Sequence, residues 1–278
     1  MGQANPRNGP RQGGKNALAE ALAIRDQNTL DMVDAAVRHK QVMLAFQPVV
    51  QARRPDRMAF YEGLIRVLDD TGRVIPAREF IHAIEETETG RRIDCLALEK
   101  GLKALARTPT LRLAINMSAR SIGYRPWMRC LDRGLKSDPT VAERLILEIT
   151  ESSAMMVPEI VTGFMFELQR KGIAFALDDF GAGFTALRHF KQFQFDILKI
   201  DGQFIRNIHA DPDNQVLTQA ILSIARQFDM FTVAENVENA EDVAILTSMG
   251  VDCLQGYFFG APTVTPPWAE VEGQRASA

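Results

Sequence analysis

A chain of 278 residues, 46% of them hydrophobic, can fill one large core or two ordinary domains. Its formal net charge of −3 gives no basic footprint, which argues against a DNA or RNA polymer as partner but not against a small phosphorylated ligand held through metal ions. Three widely spaced cysteines, Cys95, Cys130 and Cys253, form neither a disulfide framework nor a zinc spacing, and read as buried small hydrophobes in a reducing cytoplasm. No apolar stretch reaches the roughly 18 residues that a membrane span needs.

In chain order, residues 1–15 are rich in Gly, Pro, Asn and Gln and are expected to be a disordered tail. Residues 16–40 read as a helical segment that packs on the following domain. Asn28 is its expected N-cap, and Leu30, Val33 and Val37 share a face with Met32 and Ala36 beside them. Strand and helix signals then alternate without a break over 41–267, and 268–278 form a short polar tail. Within 41–267, eight apolar runs each close on a carboxylate, amide or ammonium group. They are MLAFQ, MAFYE, LRLAIN, LILE, IAFALDD, ILK, FTVAE and CLQ, which end at Gln47, Glu62, Asn116, Glu148, Asp178 with Asp179, Lys199, Glu235 and Gln255. In a closed (β/α) barrel such strand ends converge on one mouth.

The seven residues QARRPDR between the first two runs are too few and too polar for a parallel crossover, so these strands are expected to form an antiparallel hairpin. The later connections read as helices. Pro158 opens one, with Val161, Phe164 and Leu168 at helical spacing and Gly172 beyond its end. Asn239 caps another that carries Glu241 and Asp242 in its first turn and ends at Gly250.

Glu62, Asn116, Glu148, Asp178 and Asp179 are hard oxygen donors, which suit Mg²⁺ or Mn²⁺ better than zinc or copper. Five such ligands favour two ions, and the adjacent Asp178 and Asp179 repel unless cations neutralise them. A two-metal clamp suits phosphodiester cleavage. Lys199 reads as a cation that orients water or phosphate, because the surrounding carboxylates favour its charged form. Arg66, four residues beyond Glu62, reads as a ligand contact. The histidines His39, His82, His189 and His209, together with Trp127 and Trp268, are expected to serve packing or surface roles.

The chain resembles the EAL-domain cyclic-di-GMP phosphodiesterases. Glu62-Gly63-Leu64-Ile65-Arg66 is similar to the family's E-A-L-x-R signature, with Gln47-Pro48-Val49-Val50 before it. Asn116-Met117-Ser118, Leu147 to Glu151, Asp178 to Gly181, Lys199-Ile200-Asp201, Ala234 to Glu238 and Gln255 to Phe259 follow in family order. The resemblance implies an α/β fold: a modified TIM (β/α)8 barrel with an antiparallel first strand, here with an N-terminal helical extension. It implies hydrolysis of cyclic di-GMP to linear pGpG, with Lys199, Glu235, Asp178 and Asp179 as the catalytic group. Metal ligands would be Glu62, Asn116, Glu148, Asp178, Asp179 and Glu235, with Asp178 bridging two Mg²⁺ or Mn²⁺ ions and Ca²⁺ inhibitory. Gln47, Arg66 and Gln255 would meet the substrate, and Glu151, Asp201 and Glu238 would support the loops. A homodimer is implied, its contact including the helix that bears Leu187, Phe190 and Phe193 or its neighbour after Lys199, and a sensor or regulatory protein could act in trans.

The chain departs from the family pattern at Gly63 and after Asp179, where Ala182, Phe184 and Ala186 lack hydroxyls. A receptor or scaffold that binds cyclic di-GMP without turnover is therefore the second class of function, although all the acids are present. An unrelated metal-dependent barrel hydrolase would leave the motif order unexplained.

Overall fold

The computed structural model describes residues 13–182, 191–266 and 268. Residues 1–12, the segment from Gly183 to Phe190 and most of the C-terminal tail lie outside the described residues, and with them the readings on Phe184, Ala186, Leu187, His189 and Phe190. The strands are β1 (Val42–Gln51), β2 (Arg54–Leu68), β3 (Val74–Ile75), β4 (Leu113–Asn116), β5 (Leu145–Thr150), β6 (Ala174–Phe180), β7 (Ile197–Ile200), β8 (Phe231–Ala234) and β9 (Cys253–Gln255). They pair in the order β1-β9-β8-β7-β6-β5-β4-β2-β3, and a further β1–β2 pairing closes eight of them into a barrel with β3 outside on β2. Strand β1 is antiparallel to both of its neighbours, and the other barrel pairs are parallel. The fold is thus a modified TIM barrel with a reversed first strand.

The first two strands do not stop at Gln47 and Glu62, as their apolar runs had indicated. Because β1 runs backwards, its C-terminal end lies at the far end of the barrel, and Gln47 reaches the level of Glu62 from mid-strand, where the two residues are paired. Only Ala52 and Arg53 separate β1 from β2, too few for any crossover.

The helices are α1 (Gly13–Arg38), α2 (Ile81–Ile84), α3 (Glu88–Arg107), α4 (Arg125–Ser137), α5 (Glu151–Met156), α6 (Pro158–Gln169), α7 (Gly202–Ile205), α8 (Pro212–Gln227) and α9 (Ala240–Met249). Helix α1 is continuous, so Asn28 lies inside it and is no N-cap; the helix also includes Gly13 to Lys15, which composition had placed in the tail. Its Val33, Ala36 and Val37 bury against Val42, Val67, Ile75 and Phe80, whereas Met32 is exposed. Pro158 begins α6, the Asn239 side chain accepts from the Asp242 N–H at the start of α9, and Gly250 ends α9 with φ of 88°.

Two apolar layers hold the barrel. Between strands and helices, Leu113, Leu147 and Leu198 pack in one cluster with Leu98, Leu131, Phe164 and Leu222. Inside the barrel, Val49, Phe60, Ala114, Ile146, Ala176, Ile197 and Val233 pack on one another. Phe193 belongs to the first layer: it is 5% exposed and its ring packs tilted against Phe195 with centroids 5.4 Å apart, so it is no surface contact. Trp127 is buried against Phe164, and Trp268 packs edge-on against Phe46 and Tyr61. The three cysteines are free and half-buried, less enclosed than expected. Among the described residues no helix is long and apolar enough to cross a membrane.

Candidate active site

The side chains of a strand alternate between its two faces, and this rule builds the site. Phe60, Ala114, Ile146, Ala176, Ile197 and Val233 point into the barrel, and two residues further along the same strands come Glu62, Asn116, Glu148, Asp178, Lys199 and Glu235. On the reversed β1 the order inverts, with Gln47 two residues before Val49. A polar layer therefore rests directly on an apolar one.

Lys199 stands at the centre of that layer, 1% exposed. Its Nζ lies 2.9 Å from Asp178 Oδ1, 2.9 Å from Glu235 Oε1, 3.1 Å from Glu148 Oε2 and 3.4 Å from Glu62 Oε2. Burial pushes the ammonium pKa down, but the four carboxylates outweigh burial and hold it well above the ordinary value, which favours the charged form of Lys199. Burial also acts on the acids. It drives Glu148 well above its ordinary range despite Lys199, with Glu62, Asp178 and Glu235 adding to the rise. Glu235 is pushed up to about 8 by burial against the pull of Lys199, and Asp179 to about 6 by burial and then by Asp178. Glu62 goes the other way. Burial raises its pKa, but Lys199 and hydrogen bonds from Gln255 and Asn116 bring it below the ordinary value.

Asn116 Nδ2 donates to Glu62 Oε1 at 2.8 Å, and Gln255 Nε2 donates to Glu62 Oε2 at 2.6 Å and to Gln47 Oε1 at 3.1 Å. Gln47 Nε2 in turn donates to the Gly260 carbonyl at 3.3 Å. Gln255, expected at the substrate, is thus buried and spends its amide on orienting Glu62. Arg66 is half-buried and bonds its own strand at the Ile65 carbonyl. It lines a cavity of about 450 Å³ together with Glu62, Asn116, Ser118, Asp178 and Asp179. A larger hollow, about 810 Å³ and including Arg53, Arg112 and Phe231, lies at the other end of the barrel and contains none of the converging acids.

Glu151 Oε2 accepts the Gly181 N–H at 2.9 Å, and Asp201 caps α7 by accepting the Gln203 N–H at 2.7 Å. Glu238 is exposed and makes no hydrogen bond or ion pair among the described residues. His39 is exposed, and His209 Nδ1 lies 2.7 Å from Asp242 Oδ1, outside the site. Asp94, which the sequence did not single out, also lines the mouth and accepts from Ser118 N–H and Ser121 Oγ. It comes from the middle of α3, where a lone acid carries no motif signal.

Two acid triplets could each hold a cation: Glu62, Glu148 and Asp178, and Asp178, Asp179 and Glu235, each offering oxygens within 4.8 Å of one another. Asp178 belongs to both. Glu148 Oε1 is buried without a hydrogen-bond partner among the described residues, as an oxygen reserved for a cation would be. An all-oxygen donor set fits Mg²⁺ or Mn²⁺.

Comparison with known proteins agrees with this geometry. The EAL domain model matches residues 30–262, so the chain belongs to the EAL domain family. Within that family it is 31% identical over 254 residues to cyclic di-GMP phosphodiesterase PdeF of Escherichia coli, an alignment covering 90% of this chain and 34% of PdeF. The chain spans about a third of the length of the curated relatives it matches. Among solved structures, the PaMucR phosphodiesterase in complex with c-di-GMP is 27% identical with a TM-score of 0.76, covering 85% of this chain and 97% of that one. Klebsiella pneumoniae BlrP1, in a manganese and cyclic-di-GMP complex, is 27% identical with a TM-score of 0.69, covering 80% of this chain and 56% of that one.

Proposed function

We propose that this chain hydrolyses one phosphodiester bond of cyclic di-GMP, giving linear pGpG, with two Mg²⁺ or Mn²⁺ ions as cofactors. The observation that carries the proposal is the charge pattern of the mouth: four carboxylates surround one ammonium and a fifth, Asp179, joins their cluster, so that with all five ionised two divalent cations would offset the four remaining charges. Glu62, Asn116, Glu148 and Asp178 would hold one ion and Asp178, Asp179 and Glu235 the other. When bound, such a pair supplies water activation on one side of the phosphorus and stabilisation of the leaving oxygen on the other. Lys199, held as a cation among the acids, would orient them and add positive charge to the site. Arg66 faces the same cavity with a guanidinium that makes no salt bridge among the described residues, which suits a phosphate contact. The relatives' names support the substrate, and the unpaired cysteines suit a cytoplasmic setting.

The test is incubation of purified protein with cyclic di-GMP and Mg²⁺ or Mn²⁺, the products being separated by chromatography. pGpG should accumulate, and Ala at Glu62, Asn116, Glu148 or Asp178 should each abolish turnover, because an incomplete ligand set upsets cation occupancy and water activation together. Calcium accepts longer bonds and looser shells, so it should support binding without hydrolysis. Binding without product under both Mg²⁺ and Mn²⁺ would place the chain among receptors.

A further inference from the structure

Asp178 and Asp179 are neighbours, and on a regular strand they would face opposite sides of the sheet. Yet both offer oxygens to one cluster with Glu235. The pairing of β6 with β7 explains this. Leu177 pairs with Leu198 and Phe180 with Ile200, so two residues, Asp178 and Asp179, stand opposite the single Lys199. This is a β-bulge, and Asp179 takes the left-handed conformation within it, with φ of 54°. A non-glycine residue there is strained and persists only where its surroundings hold it.

The peptides just beyond the bulge are held from outside the loop. The Phe180 carbonyl accepts from Asp201 N–H at 3.3 Å, and the Gly181 N–H goes to Glu151. The Gly181 carbonyl accepts from Gln203 Nε2 at 3.0 Å. The Phe204 ring lies so close to Gly181 that a Cβ there would sit 2.5 Å from Phe204 Cε2. Gln203 is itself fixed at both ends of its backbone: its N–H donates to Asp201 Oδ1 at 2.7 Å and its carbonyl accepts from Asn214 Nδ2 at 3.1 Å.

We propose that Gln203 is a positioning residue for Asp179: by holding the Gly181 carbonyl it keeps the bulge that turns Asp179 toward the second cation. The proposal rests on the two-cation reading above. Gln203 is exposed, so its side chain contributes nothing to the core and can be changed without unfolding the barrel. Q203M keeps the length of the side chain and removes the donor; Q203E keeps a polar surface and removes the same donor.

Mn²⁺ titration followed by electron paramagnetic resonance, and amide exchange at Gly181 followed by NMR, read the effect without turnover. Both variants should bind the second Mn²⁺ about tenfold more weakly, the range seen when partners of metal ligands are removed. They should also exchange the Gly181 amide faster, with unchanged melting temperature, and lower kcat at little change in KM. Unchanged affinity for the second Mn²⁺, or unchanged Gly181 exchange, overturns the proposal, as does a wild type that takes up fewer than two Mn²⁺. A wild type that binds two Mn²⁺ but makes no pGpG overturns the phosphodiesterase reading alone, because the binding and exchange comparisons still stand.

Discussion

Lys199 is the only cation at ion-pair distance from Glu62, Glu148, Asp178 and Glu235 among the described residues, which makes it a stability element as well as a site residue. Removing one partner of a buried ion pair costs about 3–5 kcal/mol. Lys199→Met should therefore lose stability of that order in urea unfolding with a chelator present, and saturating Mg²⁺ should recover most of it by taking over the charge. An equal loss with and without Mg²⁺ would separate the ammonium from the cation site. Asp94 is the other residue with a measurable signature. Burial pushes its pKa from 3.8 up to about 7, against hydrogen bonds from Ser121 and Ser118 that lower it. Between those values native Asp94 holds a proton that the unfolded chain has released, so its contribution to stability falls as pH rises, by about 1.4 kcal/mol per unit, and levels off above pH 7, while Glu148, Asp179 and Glu235 add slopes of the same sign. Asp94→Asn keeps an oxygen for both donors, which share one carboxylate oxygen, and should remove the share of that slope due to Asp94 and be the more stable protein above pH 7. A chelated sample melted from pH 4 to 8 tests it, and an unchanged slope would place the titration elsewhere. The strand-end acids were legible because each closes an apolar run. Asp94 was not, since an acid in mid-helix looks like a solvated face until Ser118 and Ser121 are brought to it.

At the scale of elements, the departure at Gly63 has a packing cause. A Cβ at Gly63 would lie 2.7 Å from Ile115 Cδ1, and one at Gly101 on α3 would also lie 2.7 Å from it. One isoleucine on β4 thus fills the space that two missing side chains leave between β2 and α3. Gly63→Ala should cost about 1–3 kcal/mol by overpacking. Ile115→Val, which deletes the clashing methyl, should restore most of that loss in the double variant. Additive losses in a double-mutant cycle would rule out the compensation. The hairpin of β1 and β2 was legible because chain length alone forbids a crossover. The bulge in β6 was not: it depends on the register against β7, a partner set by tertiary closure, and a run such as IAFALDD looks regular without it.

For the molecule as a whole, the question is where a second copy would dock. The buried Phe193 cannot carry a dimer contact; Leu187 and Phe190 lie outside the described residues, and the neighbouring helix region after Lys199 lies within them. Helix α8 exposes Val216 at 70% and Leu217 at 48%, two and three residues beyond Asn214, whose amide holds the Gln203 carbonyl. We propose that this face meets its copy in a symmetric homodimer, so that contact at α8 steadies Asn214, Gln203, Gly181 and through them Asp179. An isologous contact uses one patch twice, and a charge placed there acts twice. The double substitution Val216→Glu with Leu217→Glu should give monomers in light scattering and an unchanged circular dichroism spectrum, because neither side chain is in the core. Turnover should drop several-fold with every acid in place. Folded monomers with undiminished turnover would show that the route from α8 to the bulge carries no influence, and that the clamp on Gly181 is sufficient within one chain.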